Sequence, residues 1–156
     1  MRVLFVCTGN TCRSPMAEGL LKEKIRLIGK NKEAIKVSSA GLITVDGLEA
    51  SEYSIEALND RGIDIREHRS RRLTVNMIEE ADLILTMTRA HKIAVTMKSE
   101  KAIGKTYTLK EYVDDTELEM DIADPFGMDM DAYLYCAEEI SKALDLVISK
   151  ITGELI

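Results

Sequence analysis

Proline and glycine are scarce, 2 and 9 in 156 residues, which excludes a low-complexity or disordered chain of the kind enriched in both. Cysteine is scarce too. Three thiols in a chain that reads as cytosolic cannot form a disulfide framework, so each is core filler, a metal ligand or a reactive thiol. Long apolar runs are missing: Val3 to Cys7 and Leu83 to Met87 are strand-sized, far short of the ~20 residues of a bilayer span. No membrane crossing is expected. From Met1 and Arg2 the chain runs straight into the first of these stretches, with no signal-peptide h-region, so a cytoplasmic protein is expected. Positive charge is also in deficit. A net charge of −6 argues against general nucleic-acid binding. The deficit is uneven: residues 1–75 carry 13 Lys and Arg against 10 Asp and Glu, whereas residues 76–156 carry 8 against 17. The first half can tolerate an anion.

What is present is 46% hydrophobic and 31% charged residues, a length that fits a single domain over 1–156 burying roughly 70% of its unfolded surface. Arg2 to Cys7 reads as a buried strand entering the small polar loop Thr8-Gly9-Asn10-Thr11-Cys12-Arg13. Ser14 offers an N-cap and Pro15 a first helical residue. Met16, Ala17, Leu20, Leu21, Lys24, Leu27 and Ile28 then keep a helical period up to Gly29. A second strand is expected at Ile35 to Ala40, closed by Gly41, and a helix from about Ser51 to Arg61 ending at Gly62. Thr74 caps a short helix to Glu80, and Asp82 to Met87 is strand-like. Thr88 opens a helix carrying Ala90, Ile93, Ala94 and Met97. Lys105 to Leu109 is a candidate fourth strand, and Ala132 to Ile151 a long helix with Tyr133, Ala137, Ile140, Leu144, Val147 and Ile151 on its apolar face. Between these two lies an acidic loop. Glu111 to Asp131 holds nine Asp and Glu and no Lys or Arg. The alternation of strands and helices predicts an α/β fold: a doubly wound, four-stranded parallel sheet flanked by helices, with ligands outside the carboxyl ends of the strands.

The loop after the first strand leaves at that end. A loop entering a helix N-terminus turns backbone N–H groups and the positive end of the helix dipole on one spot, which suits a phosphate. Cys7 and Arg13, six residues apart, can curl around one tetrahedral oxyanion. The sulfur then sits beneath phosphorus and the guanidinium holds two equatorial oxygens. A strand-end cysteine alone reads as core; Arg13 followed by Ser14 removes that reading.

Here the chain resembles the low-molecular-weight protein tyrosine phosphatase family, of which Val6-Cys7-Thr8-Gly9-Asn10-Thr11-Cys12-Arg13-Ser14-Pro15 is nearly the whole signature. Ser38-Ser39-Ala40-Gly41, His68 in Glu67-His68-Arg69, and Asp124-Pro125 before the last helix fall where the family has counterparts. The resemblance implies a phosphatase whose nucleophile is Cys7, made a thiolate by the helix N-terminus, the loop N–H groups and Arg13. It implies a phosphocysteine intermediate, Asp124 as general acid and then base, and Arg13 with the amides of Thr8 to Cys12 stabilising the transferring phosphoryl group. Ser14 would hydrogen-bond the Cys7 sulfur. Asn10 would hold a left-handed conformation braced by Ser39 and His68. Asp124 before a proline can also simply begin a turn. Arg66, Arg69, Arg71 and Arg72 around His68 are a solvated strip or a docking patch. His91 reads as a helix surface residue and Cys136 as core.

Cys12 lacks the second ligand pair of a structural zinc site. It is either a packing residue or, as often in the family, the partner of Cys7 in a reversible protective disulfide. Two positions bear on the substrate, a phosphorylated protein. Tyrosine-specific members usually carry Ile where this chain has Thr11, and Asp-Pro-Tyr where it has Asp124-Pro125-Phe126-Gly127. Both departures resemble the bacterial protein-arginine phosphatase branch. A hydroxyl of Ile-like shape favours a hydrogen-bonding guanidinium over a phenyl ring, while Phe126 can still stack. Phosphoarginine is therefore the expected substrate and phosphotyrosine the alternative. Arsenate reductases share the loop but relay a disulfide to downstream cysteines, and Asp82 to Lys98 has none. A cysteine phosphocarrier needs neither Arg13 nor Asp124. No metal or organic cofactor is implied, since the thiolate and Arg13 supply what a metal would. No long heptad pattern is present, so a monomer is expected.

Overall fold

The computed structural model describes residues 1–29, 33–113 and 120–154. In chain order the elements are β1 (Arg2–Cys7), α1 (Arg13–Ile28), β2 (Lys36–Gly41), α2 (Glu52–Asn59), α3 (Val75–Glu80), β3 (Leu83–Thr86), α4 (Arg89–Lys98), β4 (Thr106–Thr108), α5 (Leu109–Tyr112) and α6 (Met130–Glu154). The four strands are parallel in the order β2-β1-β3-β4, with Cys7 beside Gly41 on one side and Val6 beside Thr86 on the other. Successive side chains of a strand point to opposite faces, and both faces of β1 are covered. Val3, Phe5 and Cys7 join a core with Met16 and Leu21 of α1, Leu58 of α2 and Ile140 of α6. Leu4 and Val6 join a smaller core with Ile78 of α3 and Val95 of α4. That double burial is why β1 reads as an unbroken apolar run. The chain builds β2 on one side of β1 and then crosses to β3 on the other, so the crevice of a doubly wound sheet opens at the carboxyl end of β1.

Several element details depart from the sequence reading. Helix α1 begins at Arg13, two residues before Pro15, and no side chain caps it. The expected cap, Ser14, spends its hydroxyl on Cys7 Sγ at 2.9 Å instead. The buried face of α1 ends at Ile25: Lys24 pairs with Asp145, and Leu27 and Ile28 are exposed. Gly29 closes the helix in the left-handed region, φ 73°. Helix α2 stops at Asn59 rather than Arg61, because the N–H groups of Arg61 and Gly62 bond three residues back, to Leu58 and Asn59, in a tighter turn. In α4 the stripe of Ile93 and Met97 faces outward, and the buried face is His91 with Val95. The apolar face of α6 is as the spacing predicts, with Tyr133, Ala137, Ile140, Leu144, Val147 and Ile151 all buried. The acidic stretch is only partly described, since residues 114–119 lie outside the described residues. Among the described residues no helix is long and apolar enough to cross a membrane.

Candidate active site

Residues 8–12 connect β1 to α1 and curl over Cys7. Asn10 has φ 58°, a conformation non-glycine residues adopt uncommonly and asparagine tolerates better than most. It is held from every side. Its amide nitrogen donates to Ser14 Oγ at 2.8 Å and to Ser39 Oγ at 2.9 Å, and its amide oxygen accepts the Arg71 N–H at 2.9 Å. Its backbone oxygen lies 2.8 Å from His68 Nε2, which must be the donor. Ser39 in turn donates to Glu18 Oε1 at 2.6 Å. Because Ser14 Oγ already accepts from Asn10, its own hydrogen is free for Cys7 Sγ, 2.9 Å away. The Asn10 N–H also points at this sulfur, at 3.3 Å.

Arg13 heads α1 and is buried, 4% exposed. Its Nη1 donates to the Ile122 carbonyl at 2.8 Å and its Nη2 lies 3.5 Å from Asp124 Oδ2. The segment that brings Asp124 here is tied to the end of β3 and the start of α4. Ile122 N–H bonds the Met87 carbonyl, and Asp121 Oδ1 accepts the Arg89 N–H. Asp124 is half-exposed and also accepts the Phe126 N–H at 3.1 Å, the local turn that an Asp-Pro pair favours. Thus Cys7, Thr11, Arg13, Asp124 and Phe126 line one pocket of ≈ 210 Å³, together with Thr8, Gly9 and Cys12. Phe126 forms an open wall, 74% exposed. A larger groove of ≈ 430 Å³ lies against the other side of α1, but no cysteine lines it and its Lys22 and Arg26 are each paired with a carboxylate of the same helix, Glu18 and Glu23.

Cys12 lies beneath the loop, its sulfur 3.5 Å from both Ser51 Oγ and Tyr133 Oη; burial pushes the Tyr133 phenol up. All three cysteines are free and buried. Burial also pushes the Cys136 thiol up to about 12, so it stays protonated. His91 is not the surface residue expected of it. It is buried because its Nε2 reaches Thr8 Oγ1 at 2.8 Å, and burial, then the charge of Arg13, push the imidazole down to about 4. Among the described residues no group of His, Cys, Asp and Glu is arranged to hold a metal ion.

Sequence reasoning passed over Glu18 and Ile122, and it named Gly41 and Arg71 without giving either a part in the loop's geometry. A Cβ at Gly41 would stand 2.9 Å from the Thr8 carbonyl oxygen and 3.0 Å from Asn10 N. Only the glycine closing β2 lets the loop lie this near; its signal was the Ser38-Ser39-Ala40-Gly41 stretch. Ile122 and Arg71 act through backbone atoms, which leave no trace in residue type.

With this geometry the chain belongs to the low molecular weight phosphotyrosine protein phosphatase family, whose sequence profile matches residues 2–155. It is similar to a protein-arginine-phosphatase of Geobacillus stearothermophilus, 40% identical over 153 residues that span 98% of this chain and 97% of that protein. It is also similar to a solved low molecular weight protein tyrosine phosphatase from T. tengcongensis. That structure is 42% identical with a TM-score of 0.88, over 96% of this chain and 99% of the other. YwlE arginine phosphatase, solved as a mutant with a phosphorylated active-site serine, superposes with a TM-score of 0.90 at 37% identity, over 97% of this chain and 96% of its own.

Proposed function

We propose that the protein is a cysteine-dependent phosphatase that removes phosphate from phosphoarginine in proteins through a phosphocysteine intermediate. Residues 1–156 act as one phosphatase domain and as a monomer. The observation that carries this reading is the convergence of Cys7, Arg13 and Asp124 on one pocket, with Ser14 and Asn10 directed at the Cys7 sulfur from behind it. In the first step the Cys7 thiolate bonds to phosphorus as the P–N bond to the arginine side chain breaks, and Asp124 gives its proton to the departing nitrogen. In the second, water bonds to phosphorus, the P–S bond breaks, and Asp124 takes the water's proton. Arg13 and the N–H groups of Thr8 to Cys12 stabilise the equatorial oxygens throughout. The phosphorylated active-site serine of YwlE supports a phosphoenzyme.

Thr11 on the pocket wall supports phosphoarginine, since its hydroxyl can bond a guanidinium and an Ile side chain cannot. The name of the Geobacillus relative supports the same branch. The second reading is phosphotyrosine: the exposed ring of Phe126 offers a stacking face for a phenyl group. Reductase chemistry lacks a downstream relay, because Cys136 is buried and protonated, and would have to run through Cys12. A phosphocarrier would not need Asp124 beside Arg13. A cytoplasmic location goes with this reading, since a thiolate nucleophile needs reducing surroundings. The test is phosphate release from matched phosphoarginine and phosphotyrosine peptides, with Cys7→Ser as the blank. Preference for phosphoarginine is expected, and Thr11→Ile should move the kcat/KM ratio towards phosphotyrosine. The reverse preference in the unaltered enzyme would replace the substrate and keep the chemistry.

A further inference from the structure

His91 Nδ1 is buried with no hydrogen-bond partner among the described residues. The residue is 7% exposed and sits in the first turn of α4, its backbone N–H bonded to Thr88 Oγ1. Its Nε2 lies 2.8 Å from Thr8 Oγ1. Thr8 follows Cys7 directly, is exposed, and lines the phosphoryl pocket.

Held neutral, the imidazole has one N–H to place. With the proton on Nδ1, a buried N–H has no acceptor, and Thr8 must donate to Nε2 and turn only lone pairs towards the pocket. With the proton on Nε2, the ring donates to Thr8 Oγ1. The group left at Nδ1 is then a bare lone pair, and the Thr8 hydroxyl hydrogen is free. Buried N–H groups without partners are rarer than under-used acceptors. A hydroxyl offering only lone pairs would also repel a phosphoryl dianion. Both considerations select the Nε2–H form.

We infer that His91 is a positioning residue: as an Nε2–H donor it holds the Thr8 hydroxyl so that its hydrogen is aimed at a phosphoryl oxygen, making the Thr8 side chain a substrate-binding group. This deepens the proposed phosphatase reading and rests on it. It also gives a reason for the burial of a polar ring in the face of α4 that packs towards the sheet.

The first test needs no turnover. Nitrogen-15 spectra of the His91 ring in the full chain at pH 7 should show the Nε2-protonated tautomer; the Nδ1-protonated form would overturn the inference. Kinetics form the second test. His91→Leu and Thr8→Val should each lower kcat/KM on a phosphoarginine peptide by roughly tenfold, the loss of one charge-assisted hydrogen bond. The double variant should lose no more than the larger single loss, and His91→Gln, whose amide can donate to Thr8, should recover most of the activity. Losses that multiply, or a Gln variant no better than Leu, would overturn it. Should His91→Leu not fold, inorganic phosphate affinity decides, with Thr8→Val expected to weaken it and Thr8→Ser to retain it; equal affinities count against the inference. Failure of the phosphatase reading would look different: the unaltered chain would release no Cys7-dependent phosphate, while the tautomer result would still stand.

Discussion

In the proposed mechanism Cys7 and Asp124 divide the chemistry, and their surroundings suit the division. The sulfur is buried with the Ser14 hydroxyl and the Asn10 N–H directed at it, whereas the Asp124 carboxyl is half-exposed at the pocket mouth where a leaving group departs. Proton donation by a placed carboxyl contributes roughly 10²- to 10⁴-fold when the leaving group is poor. Asp124→Asn keeps the shape and the turn to Phe126 but removes the proton. It is expected to lower kcat strongly on substrates with poor leaving groups and much less on p-nitrophenyl phosphate. A leaving-group series measures this, and an equal loss across the series would show that Asp124 orients the substrate rather than protonating the product. The loop after β1 was legible at this scale as a place where Cys7, Arg13 and Ser14 meet, because a thiol, a guanidinium and a hydroxyl stand there at fixed spacing. His91 was not, since a histidine on a helix with Ile93 and Met97 looks solvent-facing until α4 is seen against the loop.

At the scale of elements, the end of β2 matters as much to the site as the loop it touches. Gly41 has no left-handed backbone, so Gly41→Ala tests the close approach alone: a methyl group would press on Thr8 O and on Asn10 N and Cβ, none of which can yield without moving the loop. The variant should lose about 1–3 kcal/mol of stability and at least tenfold in kcat/KM, read from thermal melts and steady-state rates. Unchanged rates would mean that the loop tolerates displacement. The same loop packs Cys12 under itself, next to Tyr133 of α6. Peroxide should oxidise the Cys7 thiolate to a sulfenic acid, which the Cys12 thiol converts to a disulfide with loss of water, and an added thiol should then restore activity. In Cys12→Ser the sulfenic acid stays open to a second equivalent of peroxide, which takes it to the sulfinic acid, so added thiol should restore much less activity. Full thiol rescue of that variant would leave Cys12 a packing residue only. Strands and helix faces with uniform burial, such as β1 and α6, were readable from the sequence because period and hydrophobicity agree there. Ends such as Arg13 and Asn59 were not, because a side chain engaged at the site or a tightened turn overrides local capping preference.

Across the whole molecule, the basic first half and acidic second half meet through ion pairs, Lys24 with Asp145 and Arg61 with Glu138, which tie α1 and the turn after α2 to α6. Pairs this open to water contribute little, so they do not make the fold sensitive to mild acid. The buried imidazole of His91 does. Its pKa is held at about 4 by burial and then by Arg13, against about 6.5 in an unfolded chain. Between those values the unfolded state binds the extra proton, so stability rises with pH; it is complete above the unfolded value and is lost as pH falls towards the folded one. From pH 6.5 to pH 5 the loss attributable to this one ring is about 1.5 kcal/mol. Denaturant unfolding at both pH values measures it, and His91→Gln, which shares every other titrating group, should show a correspondingly smaller drop. Equal drops in the two proteins would mean that the ring takes up its proton in the folded state with little resistance, and the acid sensitivity would then have to be sought in another group.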